Sequence, residues 1–330
     1  MPASFAKSTL ISNYEVEPKW PGACPKAGRM KIRMASKEIP LIYNPRAGAF
    51  RLRPGLVAQL TAALSDRGVT AQPMATTAPG DATRLAERAV EAGSQMVIIC
   101  GGDGTINEAA QALIGTPTAL AVCSGGTANI FAKELRLPRD LRQLADRIAA
   151  GSLREISVGL ARQPESGWQR YFLLMAGIGL DATIIEAVNP ALKDRFGMGA
   201  YWAAGFRTLA AWPLTPFTLD LHGTSYAATF AVIAKATNYA SFFTLAPRAQ
   251  FDDDQLDVCL FNSSSRLAYL AYAALSVRGR HTISPQVSYQ KVGTAAACSQ
   301  VATPVQLDGE LVGQLPMRFD CVPRALRVVI

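Results

Sequence analysis

The fold of this chain is decided by the stretch Gly101-Gly102-Asp103-Gly104-Thr105. An apolar run at 96–100 precedes it, and apolar residues recur at helical spacing over 106–113 after it. An apolar run that breaks into glycines and restarts with helical periodicity predicts a strand, a tight turn and a helix. Backbone N–H groups and the positive end of the helix then converge at the turn, so the stretch predicts a binding site for a phosphate group.

The start of this helix has more than one interpretation. Thr105 and Glu108 have the spacing of a capping box, which predicts that they cap the helix and leave the glycine turn to bind an anion. The turn is neither a Walker A loop nor a dinucleotide-binding loop, because it lacks the residues and the spacing of both. A turn that needs glycine only for its backbone conformation remains the alternative. Asp103 would hold a water or a cation, although an ordinary turn aspartate has the same pattern.

A second glycine turn supports the phosphate interpretation. A buried strand is predicted at 118–123, and it runs into Gly125-Gly126-Thr127 and a helix. Both turns would lie at the carboxyl edge of one parallel sheet, where the ligands of open α/β sheets bind. Further strands are predicted at 39–43 and 69–75, and helices at 54–67, 82–92 and 138–150. Asp81 is the predicted cap of the helix at 82–92. Together these elements predict an open parallel-sheet domain over 39–152.

Beyond residue 152 the pattern changes. Short, alternating, β-prone runs predict an antiparallel β-sandwich over 153–319 as a second domain. Two apolar stretches at 196–212 and 267–277 interrupt the strands, and helices that pack on the sandwich are the favoured interpretation. The alternative is that the aromatic residues Tyr201, Trp202, Phe206 and Trp212 line a groove for an acyl chain or touch a membrane.

The composition limits the class of protein. The 330 residues are 49% hydrophobic and 18% charged, which is enough to bury one or two large cores. No run reads as a membrane span or a secretory segment, so a cytoplasmic protein is expected. The six cysteines are scattered, which indicates buried thiols in a reducing compartment. Because the two histidines stand far apart, a histidine-based triad or zinc site is disfavoured, and any metal should have oxygen ligands.

The charge of the chain limits its partners. A net charge of +8 admits nucleic acid, an anionic membrane or a phosphorylated ligand. No RNA-binding signature is present, so no nucleic-acid partner is expected. Residues 1–38 lack periodicity and carry seven Lys/Arg against three Glu, which predicts a disordered basic leader. A polybasic tether to anionic lipid is the sharper interpretation of the same segment.

Two acidic segments are candidate sites. Asp253 and three further acids fall within 252–257, a density that is self-repulsive unless a divalent cation relieves it. A solvated acidic turn is the alternative. The second segment, Asp308-Gly309 followed by Glu310, lies between apolar runs and by itself predicts only a hairpin turn.

Several motifs in order resemble one family. Gly-Gly-Asp-Gly-Thr-Ile-Asn-Glu at 101–108 closely resembles the loop of the diacylglycerol kinase catalytic-domain family, which includes bacterial lipid kinases and the sphingosine and ceramide kinases. The turn at 44–48 resembles its Asn-Pro-x-Ser-Gly, with Ala47 in place of Ser. The stretch at 126–132 resembles its Gly-Thr-x-Asn-Asp-Phe-Ala, with Ile130 in place of Asp. The segments at 247–257 and 308–310 resemble its Pro-x-Ala-x-x-Asp-Asp-Gly-x-Leu-Asp and Asp-Gly-Glu, with Asp254 in place of Gly.

The resemblance covers about residue 39 to the C-terminus. It implies an α/β fold in which an N-terminal open parallel-sheet nucleotide-binding domain, to which a strand at 320–330 returns, precedes a C-terminal antiparallel β-sandwich domain that binds lipid. It also implies an ATP-dependent lipid kinase of phospholipid biosynthesis that phosphorylates the hydroxyl of diacylglycerol or a related membrane lipid. Such an enzyme would be peripheral to the inner face of an anionic membrane.

Residue roles follow from the same resemblance. Glu310 would be the general base towards the lipid hydroxyl, with Asp308 beside it, and Asp103 would orient Mg²⁺ or serve as the base itself. The side chain of Asp253 and the carbonyl groups of Gln250 and Gln255 would hold a structural Mg²⁺. The residues implied to bind ATP are Asn44, Thr76, Gly101, Gly102, Asp103, Gly104, Thr105, Ile106, Asn107, Glu108 and Thr127.

Two rival functions stay open at this point. NAD kinases share a shorter version of the 101–105 loop, but the motif at 126–132 and the motifs of Asp253 and Glu310 disfavour that activity. A non-catalytic nucleotide or lipid binder is the rival from another class, and Ile130 and Asp254 favour it. The sequence does not decide the lipid, the nucleotide donor or the oligomeric state, including a homodimer.

Overall fold

The computed structural model describes residues 30–32, 38–187, 205, 207–239 and 242–330. Most of the predicted leader at 1–38 lies outside these residues, as do Tyr201, Trp202 and Phe206 of the first apolar stretch. At 30–32 the expectation of disorder is wrong. Strand β1 (Met30–Lys31) pairs antiparallel with Leu153 and Ser152, and Ile32 N donates to Gly151 O at 3.0 Å.

The first half of the chain forms a parallel sheet flanked by helices, as predicted. Its strands pair in the order β3-β2-β4-β5, all parallel. The elements are β2 (Ile39–Tyr43), α1 (Gly48–Leu52), α2 (Leu56–Ser65), β3 (Ala71–Ala75), α3 (Asp81–Glu91), β4 (Met96–Gly101), α4 (Asp103–Leu113), β5 (Ala119–Ser124), α5 (Ile130–Glu134) and α6 (Leu141–Ala150).

Helices cover both faces of this sheet. On one face, Ala86 of α3 and Leu113 of α4 are buried, and on the other face Leu64 of α2 and Ile148 of α6 are buried. Because both faces are covered, every residue of β4 is buried. This is why its sequence is a continuous apolar run and not an alternating one.

The predicted helix caps differ from the observed ones. The capping box of Thr105 and Glu108 is wrong, because α4 begins at Asp103 with Gly102 at its N-cap, and Glu108 Oε2 instead accepts from Gly80 N at 3.0 Å. The glycine turn passes directly into the helix and starts it before Thr105. Gly80, not Asp81, is the N-cap of α3, and the Asp81 carboxylate accepts from N–H groups of the preceding turn.

The second half of the chain forms the predicted antiparallel sandwich. Its strands are β6 (Ser152–Arg162), β7 (Gln169–Phe172), β8 (Met175–Gly179), β9 (Phe217–Leu221), β10 (Thr224–Ala228), β11 (Phe230–Ala234), β12 (Asn238–Tyr239), β13 (Phe243–Thr244), β14 (Leu256–Phe261), β15 (Val287–Val292), β16 (Thr294–Cys298), β17 (Pro304–Leu307), β18 (Glu310–Gln314) and β19 (Met317–Val329). Its helices include α7 (Leu180–Ala187), α8 (Arg266–Ser276) and a short 3-10 helix (His281–Ile283).

Strand β19 joins the two halves into one structure. It pairs in parallel with β5 at Val328 and Leu120, and antiparallel with β6 and β16, so the first sheet continues into the sandwich. A second sheet has the order β15-β14-β11-β8-β17-β18. An apolar core that includes Phe172, Ile233 and Phe319 lies between the two sheets.

Helix α8 covers the outer face of the second sheet. Tyr269 and Tyr272 of α8 are buried against Phe261 of β14, with ring centroids 6.5 and 5.5 Å away. The predicted packing of the 267–277 stretch on the sandwich is therefore confirmed. Trp212 is also buried, 5.1 Å from Tyr269 between ring centroids. Among the helices of the described residues, none has the length and apolar character to cross a bilayer.

Candidate functional site

The two glycine turns predicted from the sequence meet at one edge of the parallel sheet. Gly125 N donates to Gly101 O at 2.8 Å. A Cβ atom added to Gly126 would lie only 2.6 Å from the Cα of Gly102, closer than side-chain carbons approach backbone. Glycine is therefore required here by the close approach of the two backbones. We call this edge, formed by the turns at 101–105 and 124–127, the phosphate edge.

Asp103 ties the two turns together. Its Oδ2 accepts from Ile130 N at 3.1 Å and its Oδ1 from Phe131 N at 3.0 Å. Asn129, the N-cap of α5, has a left-handed backbone (φ 50°) and does not cap the helix with its own side chain. Asp103 supplies the cap from the neighbouring turn instead. Ile130, which stands where the resembled motif has Asp, is buried in the apolar core that contains α4.

Helix α4 presents its N-terminus to the phosphate edge. No side chain caps it, because its N-cap is Gly102. Its first N–H groups therefore lack the usual intrahelical and capping partners and carry the positive end of the helix dipole. This is the backbone arrangement that binds phosphate at the carboxyl ends of parallel strands.

Further residues predicted to bind ATP lie along the same edge. Asn44 follows β2, and its Nδ2 donates to Thr105 Oγ1 at 3.3 Å. Thr76 follows β3, and its N–H donates to Tyr43 O at 2.9 Å. Thr127 is exposed beside Gly126. Because β2 to β5 are parallel, the residues that follow them share one edge, so the structure brings these predicted residues together.

Three other predicted ATP residues face elsewhere. The side chain of Ile106 is fully buried in the core. Asn107 is also buried, and its Nδ2 donates to Asp308 Oδ2 at 2.7 Å. Glu108 accepts from Gly80, and the pKa of its carboxyl is raised by burial and, to a smaller extent, by the negative charge of Glu310. These side chains serve the contacts between α4 and its neighbours.

Asp308 holds the two halves together at the site. Its carboxylate accepts from Asn107 of α4 and from the N–H groups of Leu173, Leu174 and Met175 at 2.7 to 2.9 Å. Desolvation raises the pKa of Asp308 to about 6, although these four donors oppose the shift. All four donors are protein groups, so Asp308 fixes the hairpin turn against α4 and residues 173–175.

The predicted hairpin turn carries Glu310 to the phosphate edge. Asp308 and Gly309 have positive φ angles of 48° and 91° and connect β17 to β18 as a two-residue turn. The Glu310 side chain is 46% exposed, and its Oε2 accepts from Arg170 Nη2 at 2.6 Å. Its Oε1 lies 3.6 Å from the position of a Cβ atom added to Gly104. Glu310 therefore lies against the start of α4.

Arg170 is a site residue that sequence reasoning missed. It lies on β7 and contacts both Glu310 and, at 3.3 Å, Asn107 Oδ1. Arg170 and Glu310 are 140 positions apart, and no motif or periodic spacing links them. The sequence of β7 has the pattern of an ordinary strand. No local signal could have identified this pair.

The residues predicted to bind a structural Mg²⁺ do not fit one in this chain. The carbonyl oxygens of Asp253 and Gln255 both accept from Lys235 Nζ, the latter at 2.8 Å. The Asp253 carboxylate pairs with Lys291, and Gln250 O accepts from Asp253 N at 3.3 Å. Among the described residues, no cluster of three or more His, Cys, Asp or Glu side chains could hold a metal ion. The oxygens predicted as ligands are already bound by protein groups.

An apolar cavity of about 390 Å³ lies between α7, α8 and the second sheet. Its lining includes Leu180, Leu209, Phe261 and Leu270. Among the described residues that line it, the one acid is Asp181, which is buried and accepts from Tyr239 OH and, at 2.6 Å, from Gln306 Nε2. Burial raises the pKa of Asp181 to about 6.

The cavity is linked to the hairpin turn of Glu310. Gln306, which donates to Asp181, accepts from Gly309 N at 2.7 Å through its Oε1. One glutamine side chain therefore connects the cavity wall to the residue that precedes Glu310. Sequence reasoning did not single out Asp181 or Gln306, because each stands alone in its element.

Comparisons with known proteins agree with this geometry. The family model described as "Diacylglycerol kinase catalytic domain" matches residues 38–161, and the one described as "YegS C-terminal NAD kinase beta sandwich-like domain" matches residues 175–330. The diacylglycerol kinase of Bacillus subtilis (strain 168) is 29% identical over 300 residues, 89% of this chain and 96% of that protein. The diacylglycerol kinase of Staphylococcus aureus (strain MRSA252) is 30% identical over 297 residues, 88% of this chain and 92% of that protein.

Solved structures show the same fold. A diacylglycerol kinase from Bacillus anthracis str. Sterne aligns with a TM-score of 0.68 at 19% identity and covers 90% of this chain and 98% of that one. A second chain from the same organism aligns with a TM-score of 0.74 at 21% identity over 90% of this chain and 96% of that one. The motifs, the two-sheet architecture and the relatives lead to one conclusion: the chain belongs to the diacylglycerol kinase family and is a kinase, a phosphotransferase of that family.

Proposed function

We propose that this protein transfers the γ-phosphate of ATP to the hydroxyl group of diacylglycerol or a related membrane lipid. One observation carries the proposal: Glu310, from the sandwich, lies beside Gly104 at the start of α4. Phosphoryl transfer to an alcohol needs a phosphate-binding site and a base that face each other, and these two elements provide them. Similarity to diacylglycerol kinases supports a lipid as the acceptor.

The phosphate edge would hold the triphosphate. The N–H groups at the start of α4 would bind its oxygens, while Asn44 and Thr76 would border the nucleotide from β2 and β3. Mg²⁺ that arrives with ATP supplies positive charge to the phosphate oxygens. Asp103 holds α5 against the edge through two hydrogen bonds, which keeps the two turns in register.

Glu310 is the best placed of the three candidate carboxylates to act as the base. Asp308 accepts from four N–H donors and Asp103 from two, so both are engaged in holding the structure. Glu310 has one ion-pair partner, Arg170, on Oε2, which leaves Oε1 directed towards Gly104. In the reaction Oε1 would accept the hydroxyl proton as the lipid oxygen attacks the γ-phosphorus.

The apolar cavity would accept part of the lipid chain. Leu270 and Val277 line it and are also 40% and 54% exposed, so they stand at its mouth. Leu267 on α8 and Ile283 on the neighbouring 3-10 helix are 76% and 75% exposed. Exposed apolar residues grouped at the mouth of an apolar cavity are typical of a surface that touches a bilayer. We place this surface at the inner face of the membrane, where ATP is available.

A panel of acceptors tests the proposal. The full chain is incubated with ATP labelled on the γ-phosphate, Mg²⁺ and mixed vesicles of anionic phospholipid that contain diacylglycerol, a monoacylglycerol, ceramide or sphingosine; a separate reaction contains NAD. Label should enter a lipid, and diacylglycerol or a related glyceride should be preferred. Label in NAD alone would show an NAD kinase. No labelled acceptor from folded protein that binds ATP would show a non-catalytic binder.

A further inference from the structure

The acidic segment at 252–257 is neutralised by basic side chains of the protein itself. Arg154 Nε donates to Asp252 at 2.6 Å, and Lys291 pairs with Asp253. Asp254, which stands where the resembled motif has Gly, accepts from Ser157 Oγ at 3.0 Å and lies 3.6 Å from Arg324 Nη2. The self-repulsion that the sequence predicts for this segment is therefore relieved without a metal ion. We call residues 250–257 the acidic turn.

The ammonium group of Lys235 contacts the middle of the acidic turn. Lys235 follows β11 directly, and its backbone N–H donates to Leu174 O at 2.8 Å, which fixes the start of the side chain. The residue is 1% exposed, so its ammonium group is removed from water. The Nζ atom donates to the carbonyl oxygens of Asp253 and Gln255. A buried ammonium needs oxygen acceptors of this kind. Burial lowers the pKa of Lys235, and nearby carboxylates, Asp253 first among them, oppose that shift.

We propose that the ammonium group of Lys235 is the resident cation of the acidic turn and replaces the structural Mg²⁺ that the family resemblance implies. A hard cation such as Mg²⁺ would bind to carbonyl and carboxylate oxygens, which are the atoms that Lys235 and Lys291 already contact. A divalent ion at this turn would lie against two ammonium groups and be repelled by both. The second domain of this chain therefore folds without a divalent ion.

This inference does not depend on the lipid or on the nucleotide. It concerns the acidic turn, whereas ATP and its Mg²⁺ belong to the phosphate edge. The two kinds of magnesium requirement can be separated by working without nucleotide. Failure of the proposed kinase activity would leave the inference standing, and the reverse also holds.

Thermal unfolding of the nucleotide-free full chain tests the inference. The melting temperature is measured after removal of metals with EDTA and again in excess Mg²⁺, and the metal content of the dialysed protein is measured by mass spectrometry. We expect the same melting temperature in both conditions and less than one Mg²⁺ per chain. If the turn held a resident Mg²⁺, a Mg²⁺ concentration well above the Kd would raise the melting temperature by roughly 5 °C or more. Such a rise, lost in Asp253→Asn and kept in Asp252→Asn, would overturn the inference.

A lysine variant provides a second measurement. Lys235→Met keeps the length of the apolar stem and removes the charge, so the carbonyl groups of Asp253 and Gln255 lose their donor. The melting temperature should fall by roughly 5 °C or more. Lys31→Met, an exposed lysine on β1, is the matched control and should leave it unchanged. A Lys235→Met protein as stable as the control would contradict the inference. If this variant does not fold, the comparison of EDTA with Mg²⁺ on the unaltered chain still decides.

Discussion

The phosphate edge and the acidic turn are both regions where the sequence predicts a bound ion, and the structure treats them differently. At the phosphate edge, two glycine turns touch, and the start of α4 has no side-chain cap. At the acidic turn, the carbonyl groups of Asp253 and Gln255 are bound by Lys235. In the first region the N–H groups at the start of α4 have no side-chain cap, whereas in the second the carbonyl groups already accept from a lysine of the protein.

The difference shows when a motif can be transferred from one protein to another. The phosphate edge depends on backbone shape, which the glycines inside the motif specify. The acidic turn depends on which cation neutralises it, and that cation comes from Lys235, 18 positions before Asp253. A motif whose function depends on residues outside it can keep its sequence and change its ligand.

Of the effects that distinguish these two regions, the largest is expected from the contact between the glycine turns. Gly126→Ala would place a Cβ atom 2.6 Å from Gly102 Cα and force the turns apart. Because a displacement of about 1 Å in a phosphate site costs roughly 100-fold in rate, kcat/KM for lipid phosphorylation should fall at least that much. Gly293→Ala is the control, since nothing lies within 4 Å of its added Cβ atom. Wild-type kcat/KM in Gly126→Ala would show that the close contact is not required.

A smaller effect is expected from the titration of Asp181, which makes the free energy of unfolding depend on pH. The pKa of Asp181 is about 6 in the folded protein, above its ordinary value, so folding favours the protonated form. Its contribution to the free energy of unfolding is therefore full below about pH 4 and is lost as the pH rises through 6, a change of about 3 kcal/mol.

Urea unfolding across this pH range measures that contribution. Asp181→Asn should remove this part of the pH dependence, because an amide does not titrate. The exposed Asp66→Asn should keep the slope of the unaltered protein. An unchanged slope in Asp181→Asn would mean that burial does not control this carboxyl group.

The smallest expected effect concerns the acidic turn. Asp253→Asn removes the partner of Lys291 in an ion pair whose side chains are 24% and 31% exposed. Pairs of this exposure contribute about 1 kcal/mol at most, so the free energy of unfolding should fall by no more than that. Because the turn is separate from the phosphate edge, kcat/KM should not change. A loss of kcat/KM comparable to that of Gly126→Ala would show that the two regions are not independent.

Much of the fold could be predicted from the sequence because its signals are local. The apolar runs before 101 and 124, the glycines after them and the helical spacing beyond predict a parallel sheet with two turns at one edge. The Asp308-Gly309 pair predicts its hairpin for the same reason. The capping box failed, because the turn itself starts α4 two residues before Thr105.

The parts of the site that could not be predicted depend on contacts between distant segments. Asp308 has the sequence context of any hairpin aspartate, yet its donors come from α4 and from 173–175. Arg170 and Glu310 are in contact although β7 and β18 belong to different sheets. Lys235 is one lysine after an apolar strand, and its partners cannot be identified before the chain is folded.

The central claim is that Glu310 takes the proton of an acceptor bound opposite the phosphate edge, and the rate of phosphate transfer by Glu310→Gln tests it most directly. The control is Glu165→Gln, which alters an exposed glutamate. The kcat should fall by roughly 10²- to 10⁴-fold in Glu310→Gln and stay unchanged in the control. The melting temperature and the rise that ATP with Mg²⁺ produces in it should stay unchanged. Turnover by Glu310→Gln at the rate of the control would contradict the claim and assign the proton transfer to Asp103.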